Sequence, residues 1–208
     1  IGRGNAGIAA EMSGRMGRVF GQTPLLYESA SRAAELNLVN RVAAAAWQDL
    51  FGFRGAESHT KRIPDLVFNV PVPLRLAFLR GYLRGDGTVA AGRMGFATSS
   101  YDLASGLMYL LSSLGVVASL SEHEPDGKVR QIRGRPCVTR HRHWQITVTA
   151  AEDLGRLQAA WGDHPAAGEV REHVERVAVS INRRFESIDG DLMALPVTSI
   201  EEVSPGNG

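Results

Sequence analysis

The fold of this 208-residue chain is decided by the stretch Leu74–Val89, which reads LRLAFLRGYLRGDGTV. Within it Ala77, Gly81 and Gly85 recur every fourth residue, so a helix here carries one stripe of minimal side chains. Each glycine in a helix costs about 1 kcal/mol relative to alanine, and such a stripe is typical of a surface that another backbone approaches closely. The competing interpretation is an ordinary buried helix with a glycine stop.

An acidic residue, Asp86, follows this predicted helix and lies between Gly85 and Gly87. A carboxylate at that point meets the negative end of the helix dipole, which costs about 0.3–1 kcal/mol when the group is exposed. A bound cation would remove this cost, and Mg²⁺ prefers oxygen ligands such as a carboxylate and a free backbone carbonyl. A divalent ion held there beside a phosphodiester would support its hydrolysis.

The remaining sequence predicts helices and short strands in alternation. The third helix begins after Pro71 and Pro73 and ends near Gly85. The other helices are predicted at about 5–20, 38–51, 101–114, 151–161 and 169–186. Strands are predicted at about 25–28, 32–36, 88–91, 93–98, 116–123, 129–133 and 143–149, with a Pro125–Gly127 turn between the fifth and the sixth. The approximate repetition of a helix–strand–strand–helix unit predicts an α+β domain with two related halves.

Composition excludes several protein classes. With 44% hydrophobic and 22% charged residues the chain is neither a disordered tail nor, lacking any apolar run of about 20 residues, a transmembrane protein. The N-terminus lacks the order of a signal peptide. One cysteine, Cys137, excludes an internal disulfide framework and a cysteine-based zinc site.

Positive charge is concentrated in one segment although the net charge is only +1. Cations are arginine rather than lysine, 21 against 2, and no acidic residue lies between 127 and 151. That segment holds Lys128, Arg130, Arg133, Arg135, Arg140 and Arg142, with His141 and His143 beside them. A localised anionic partner is expected there, and arginine suits bidentate contacts with phosphate and guanine.

The segment LAFLRGYLRGDGTV resembles the helix of the LAGLIDADG homing endonucleases, of the DOD type that inteins carry. Lys61–Asp65 (KRIPD) is similar to the Lys-x-Ile-Pro block of that family. Phe96–Ser100 and Leu114–Val116 resemble the strand and helix end that follow the motif, and Pro196–Gly208 resembles the approach to the C-terminal splicing block.

The resemblance implies a LAGLIDADG-type α+β fold, built from αββα repeats with curved antiparallel sheets. In that family two such helices pack along their small residues, here Ala77, Gly81 and Gly85, and each delivers an acid to a shared site where divalent metals cut both DNA strands. By position Asp86 would bind Mg²⁺ with help from the Gly85 carbonyl, and Lys61 would stabilise the transition state or polarise a water. A cytoplasmic protein without a membrane partner is expected.

The family's sheets form a saddle over the major groove of double-stranded DNA, which locates the basic segment. The resemblance therefore implies DNA contacts from these residues: Arg93, Thr98, Lys128, Arg130, Arg133, Arg135, Arg140 and Arg142. Salt-dependent phosphate contacts and guanine readout are expected there. Any single arginine among them is more often a solvated surface residue than a contact.

The chain departs from the family in showing one good motif where a single-chain enzyme needs two. The expectation is that residues 1–60 are the remainder of a first repeat whose motif precedes Ile1, that 61–187 form the second repeat, and that 188–208 begin the splicing region. Partners would be the missing repeat or a second copy of the chain, and the exteins of a host protein. Alternatives are an inactive DNA-binding module and an RNA maturase on the same scaffold.

Overall fold

The structure is a computed structural model, and it describes residues 6–27, 35–52, 57–90, 92–132, 135–177, 186–188, 192–194, 197 and 199–200. Its helices are α1 Ala6–Phe20, α2 Arg41–Phe51, α3 Asp65–Phe68, α4 Val72–Asp86, α5 Tyr101–Ser112, α6 Ala151–Arg156, α7 Gln158–Trp161 and α8 Ala167–Val177. Its strands are β1 Leu25–Tyr27, β2 Glu35–Asn37, β3 Gly87–Ala90, β4 Arg93–Thr98, β5 Ser119–His123, β6 Val129–Ile132, β7 Arg135–Val138, β8 His143–Val148, β9 Glu186–Ile188 and β10 Leu192–Ala194. The α+β class and the helix–strand–strand–helix order of α4, β3, β4 and α5 confirm the prediction.

A four-stranded antiparallel sheet organises the central part of the chain in the order β3–β4–β8–β5. Directly opposed residues of antiparallel strands point to the same side, so the pairs Met94–Val148 and Phe96–Ile146 define one inner face. All four of these side chains are buried. Helices α4 and α5 contribute to the same core, through leucines such as Leu79 on α4 and through the leucine stripe of α5.

Helix α5 begins as its sequence predicts. The backbone N–H of Leu103 donates to Ser100 Oγ over 3.2 Å, which caps the helix N-terminus. Its five buried residues recur at helical spacing: Leu103, Ala104, Leu107, Leu110 and Leu111. Gly115 ends the turn that follows, with a φ of 69° in the left-handed region that glycine tolerates.

The connection between β5 and β8 differs from the prediction. Strand β5 pairs with β8, whereas β6 pairs with β7, a strand that the sequence did not predict because Pro136 lies in its middle. The turn at Pro125–Gly127 therefore does not join two paired strands. It leads from the sheet into a separate β6–β7 hairpin, which carries part of the basic segment.

Other boundaries shifted for local reasons. The helix predicted at 151–161 is divided at Leu157 into α6 and α7. The last predicted helix ends at Val177, and Glu186 lies in strand β9 rather than in that helix. Asp86 is the last residue of α4 rather than the residue after it. The predicted elements at 28, 32–34 and 178–185 lie outside the described residues.

The N-terminal part of the chain is far less buried than the rest. Among the described residues the main core cluster draws only on Ile63 and later positions. Large apolar side chains in the N-terminal part are exposed: Val19 by 73%, Val42 by 78%, Trp47 by 45% and Leu50 by 56%. Strands β1 and β2 form a two-stranded sheet of their own. Two isolated strands are marginal in water, so this two-stranded sheet has little stability of its own. None of the described helices is both long and apolar enough to traverse a lipid bilayer.

Two leucines of α4 test the inner face. Leu79 is fully buried and Leu74 is 56% exposed, so Leu79→Ala should lower the free energy of unfolding by about 2–5 kcal/mol and Leu74→Ala by less than about 1 kcal/mol. Chemical denaturation followed by circular dichroism measures both. Equal losses for the two variants would contradict the assignment of the α4 faces.

Candidate functional site

Helix α4 has two faces of opposite character. One is buried through Leu79 and Leu83, and the other carries the small residues Ala77, Gly81 and Gly85, which are exposed. A Cβ atom added at Gly81 or at Gly85 would meet nothing within 4 Å. The stripe that the sequence singled out is therefore open at its two glycines in this chain, and the helix is not simply a buried one with a glycine stop.

A cavity of about 360 Å³ lies along this stripe, between α4 and α1. Its lining consists of Ile8, Glu11, Met12 and Arg15 on α1 and of Ala77, Arg80, Gly81, Arg84 and Gly85 on α4. The α4 residues occupy positions three and four apart, so they form one continuous helix surface. The groove has an apolar floor of small residues and charged walls.

The walls of the groove are held by a chain of ion pairs. Glu11 Oε1 accepts from Arg15 over 2.7 Å, and Glu11 Oε2 lies 2.8 Å from Nη1 of Arg84. Asp163 Oδ2 accepts from Nε of Arg80 over 3.0 Å and lies 3.6 Å from Arg84. These ion pairs thereby connect α1 and the segment after α7 to α4, the helix that carries Asp86.

The same contacts shift the pKa values of the two acidic residues in this series of ion pairs. Hydrogen bonds from Arg84 and Arg15 lower the pKa of Glu11. For Asp163, burial raises the pKa, but the Arg80 hydrogen bond and the charges of both arginines outweigh it, so the net pKa is lowered. Each carboxylate is therefore ionised at neutral pH and neutralises arginines that flank the stripe.

Asp86 is exposed at the C-terminal end of α4. Among the residues that the structure describes, no cation lies within ion-pair distance of its carboxylate. Burial and then the negative charge of Asp86 raise the pKa of Tyr82, one turn earlier, to about 12. Since the N–H of Gly87 makes the last intrahelical bond, to Leu83, the Gly85 carbonyl has no partner within the helix.

The two glycines beside Asp86 have different roles. A Cβ on Gly87 would lie 2.5 Å from Cδ1 and 2.8 Å from Cα of Leu83, so Gly87 is required for the close turn from helix into strand β3. Gly85 faces open space instead. Of the two glycines, only Gly85 leaves room for an external group.

Lys61 lies in a segment that is fixed to the end of strand β4. Its carbonyl accepts from Ser100 Oγ over 2.5 Å, and Ile63 is buried against Gly106 of α5. In the β3–β4 pairing Gly87 is opposite Phe96, which puts Asp86 at the same sheet end, where β4 leads to Ser100. The topology thus brings the Lys61 segment and the Asp86 carboxylate to one end of the sheet.

The outer face of the sheet is polar and uncharged apart from basic groups. It carries Thr88, Arg93, Gly95, Ala97, Ser119, Ser121, His123, His143, Gln145 and Thr147. Strands β3, β4, β5 and β8 are fully described, and their only acidic residue is Glu122. It lies opposite Trp144 in the strand register and therefore belongs to the inner face of the sheet. Hydroxyl, amide and imidazole groups without carboxylates suit an anionic partner.

The described residues include no cluster of three or more His, Cys, Asp or Glu side chains that would hold a metal ion. The Asp86 carboxylate with the Gly85 carbonyl gives two oxygen donors. Mg²⁺ is commonly held by one or two carboxylates with waters and phosphate oxygens, so this donor set fits a part of a magnesium site.

A family model describes the part of the chain in which these features lie. Residues 73–162, from α4 to the end of α7, match the family LAGLIDADG-like domain. This segment is a LAGLIDADG-like domain. This match confirms the LAGLIDADG resemblance seen in the sequence for the segment that contains α4.

Three curated relatives are similar to stretches of this chain. Over 71 residues, 34% of the chain, it is 45% identical to a DNA polymerase of Thermococcus kodakarensis. Over 123 residues, 53% of the chain, it is 35% identical to the replicative DNA helicase DnaB of Nostoc sp.. Over 84 residues, 40% of the chain, it is 34% identical to the replication factor C small subunit of Methanocaldococcus jannaschii. These matches cover 4%, 14% and 4% of the respective relatives, so the chain spans a small part of each.

Within the LAGLIDADG-like domain the structure separates the residues that were expected to contact DNA. Arg93 is exposed on the outer sheet face. Thr98 is 9% exposed on the inner face, and its Oγ1 accepts from the Ser100 N–H over 3.0 Å. This placement contradicts the expectation for Thr98, because strand alternation turns it toward the helices.

The residues of the basic segment are spread over a hairpin and its flanks. Lys128 and Arg140 are exposed, while Arg142 pairs with Glu122 over 2.9 Å and with Glu124. Arg130 and Arg135 lie on strands β6 and β7, and Arg133 lies outside the described residues. A surface ion pair is worth little, so Arg142 is held in place rather than strongly sequestered.

Sequence reasoning missed His123 and Gln145 on the outer face, whereas it had already named His143 beside the basic segment. The alternation of polar and apolar residues in 143–149 was visible, but it did not show which strand lies opposite. Pairing β8 with β5 places His123 directly across from His143.

The groove charge chain gives a pH prediction. Because the folded-state pKa of Asp163 is lowered, its contribution is present above the unfolded pKa near 3.8 and is lost as pH falls through the folded value. Asp163→Asn should therefore lower stability at pH 7, by less than about 1 kcal/mol because the site is partly exposed, and the difference from the parent should shrink only as pH falls below about 4. Thermal unfolding between pH 7 and pH 3 measures this, with the exposed Asp49→Asn as control. A difference that grows toward acid pH would contradict the assignment.

Proposed function

We propose that this chain carries half of a site-specific, metal-dependent DNA endonuclease of the homing type. The observation that supports this most is an exposed carboxylate, Asp86, at the end of a helix whose small-residue stripe is open. That carboxylate lies at one end of a sheet whose outer face bears no acid. The catalytic assignments below rest on this arrangement and on the family.

Asp86 is suited to hold a cation because nothing else in the described structure compensates its charge. It ends a helix at the negative pole of the dipole and has no ion-pair partner. Mg²⁺ bound there, with the Gly85 carbonyl as a further ligand, would activate water and neutralise charge on a phosphodiester. The role of this chain would be to hold those oxygen ligands in a fixed position.

Lys61 is proposed as the cationic group of the site. Its backbone is anchored through the Ser100 hydrogen bond and its segment through buried Ile63, while the lysine itself stays partly exposed. An ammonium group at this end of the sheet would stabilise negative charge that develops on the phosphate. Its position depends on α5, since both anchors lie on that helix or at its cap.

Double-stranded DNA is proposed to lie across the outer face of the sheet. Arg93 supplies one cation on the face, and the basic segment from Lys128 to Arg142 supplies others on the β6–β7 hairpin and its flanks. Contacts from Arg130, Arg133 and Arg135 remain part of this proposal. Phosphate contacts of this kind make affinity depend strongly on salt.

A second helix is proposed to occupy the groove along Ala77, Gly81 and Gly85. Helix α1, hairpin β1–β2 and helix α2 repeat the order of α5, the β5–β8 pair and α6–α7. Relative to the second repeat, the described residues of this N-terminal part include no counterpart of α4, β3 and β4. We infer that residues 1–60 belong to a first repeat and 61–187 to a second, and that the groove receives either the first repeat's helix or a second copy of α4.

The intein context is proposed from the relatives. A DNA polymerase, a replicative DNA helicase and a replication factor C small subunit are differently named proteins, yet each is similar to this chain over a small part of its length. A segment shared in this way is better explained as a module inserted in host proteins than as their active centre. Residues 188–208 would then begin a splicing region, and the exteins would be partners.

An inactive DNA-binding module is the second candidate, favoured because the described residues bring one carboxylate, Asp86, to the site. Cleavage of a plasmid library by the full-length gene product with Mg²⁺ separates the two. Asp86→Asn should lower the cleavage rate at least about 100-fold, because it removes the metal-binding charge. Binding of duplex DNA should remain.

The matched control for Asp86→Asn is Asp65→Asn, an exposed acid at the start of α3, which should cut like the parent. Salt-dependent duplex binding without cleavage under Mg²⁺ or Mn²⁺ would support the inactive module. Undiminished cleavage by Asp86→Asn would show that the catalytic assignment is wrong.

Helix docking has its own test at Gly81. Gly81→Leu would fill the groove and should abolish cleavage by the full-length product, while α4 should still form because the Cβ at that position meets no neighbour. Gly81→Ala is the smaller control and should raise helix stability by about 0.5–1 kcal/mol. Cleavage assays and thermal unfolding measure both. Full cleavage by Gly81→Leu would exclude docking along the stripe.

A further inference from the structure

The turn between β3 and β4 is contacted by a helix that lies beyond the matched domain. Gly92 is the turn residue directly before Arg93, the first residue of β4. A Cβ atom added at Gly92 would lie 2.8 Å from Cε1 of His173 and 3.1 Å from each of the two ring nitrogens. The imidazole therefore lies against the Gly92 backbone with its Cε1 edge. It belongs to α8, which begins at Ala167, after residue 162, where the family match ends.

Helix α8 is fixed to the core, so the imidazole has a fixed support. Val170 is fully buried, and Val174, one turn further along the same face, packs against the core cluster. His173 is the neighbour of Val174 and is half-buried. Nη2 of Arg176 lies 3.4 Å from Nδ1 of His173, on the same part of the ring that faces the turn. The ring is thus held by its own helix before it meets Gly92.

Gly92 by itself gives the turn little rigidity. Its φ is 78°, in the left-handed region, which glycine enters as readily as most others. A residue with this much freedom does not select one conformation for the connection between Ala90 and Arg93, which are opposed in the β3–β4 register. The imidazole occupies the side on which a Cβ would project, so it restricts the turn from outside the hairpin.

The turn sets the position of Arg93. This residue is exposed on the outer face, at the last opposed pair before the turn. On its other side the ladder is reinforced, because Oγ1 of Thr88 donates to the carbonyl of Gly95 over 3.2 Å. Arg93 therefore lies between a fixed strand pair and a turn that α8 holds. Restricting a side chain before binding lowers the ordering cost that binding has to meet.

We propose that His173 is a positioning residue for DNA binding, which holds the turn at Gly92 and thereby fixes Arg93 toward the duplex. The inference rests on the proposed function, because Arg93 is one of the cations assigned to the face on which DNA lies. His173 acts through Arg93 and does not itself touch DNA. The inference makes α8, outside the matched domain, one of the elements that shape the DNA-binding surface.

The experiment is a double-mutant cycle between residues 93 and 173. It measures the affinity of this chain for a fluorescent pool of random-sequence duplexes at low, constant salt. In the parent, Arg93→Ala should weaken binding at least about fivefold, as loss of one good arginine contact does. In the His173→Ala background the same change should weaken binding less than about twofold, because Arg93 is no longer held in place. A purely structural role of His173 would leave the effect of Arg93→Ala as large as in the parent.

Two variants of α8 serve as controls. Glu172→Gln changes the exposed neighbour of His173 and should leave the effect of Arg93→Ala as it is in the parent. His173→Gln keeps a planar group of similar reach beside Gly92 and should retain most of that effect. Circular dichroism checks that each variant is folded.

A second measurement needs no DNA. Proton NMR of the parent should show a nuclear Overhauser contact between the Cε1–H of His173 and an α-proton of Gly92, because this edge of the ring faces the glycine. Arg93→Ala should keep the contact, since the turn is held from α8. Absence of the contact in the folded parent would overturn the inference.

The outcomes separate the inference from the proposed function. An undiminished effect of Arg93→Ala in the His173→Ala background would overturn the inference alone. An Arg93→Ala variant that binds like the parent would remove Arg93 from the DNA contacts and overturn the inference with it. Absence of duplex binding by the parent would overturn the proposed function, whereas the NMR contact would still be expected.

Discussion

The burial of the inner sheet face under α4 and α5 is the constraint on which the rest of the structure depends. Met94, Phe96, Ile146 and Val148 are withdrawn from water only if both helices cover them. Burial of each such side chain contributes roughly 1.5–3 kcal/mol. Once that face is closed, strand alternation leaves the other face to solvent, and the α4 side opposite Leu79 carries the open stripe. The functional surfaces are therefore what the core leaves uncovered.

Electrostatics adds a second layer to this arrangement. The arginines that flank the stripe, Arg80 and Arg84, are neutralised by Asp163 and Glu11, whereas Asp86, only two residues beyond Arg84, has no such partner in the described structure. Compensating charges are thus placed along the groove, where a neighbouring helix would otherwise meet unpaired cations. The uncompensated carboxylate is at the end of the sheet, beside the proposed path of DNA.

The N-terminal part shows the opposite balance. Its helices and two-stranded sheet are formed, yet Val42 and Leu50 remain exposed and the main core excludes them. Local propensity is enough to make α2, with Asn40 as its cap, but not to bury its apolar residues. This contrast within one chain supports the proposal that the N-terminal part belongs to a first repeat.

The sequence by itself determined the α4 motif, the capped and leucine-striped α5, and the order of the elements from α4 to α5. These follow from spacing, caps and glycine placement over a few neighbouring residues. Only the tertiary structure decided that Thr98 faces the core, that Arg142 pairs with Glu122 and Glu124, and that His123 lies against His143. Each of these depends on which strands pair and in which register, and such contacts join residues that are far apart in the chain, so local pattern cannot specify them.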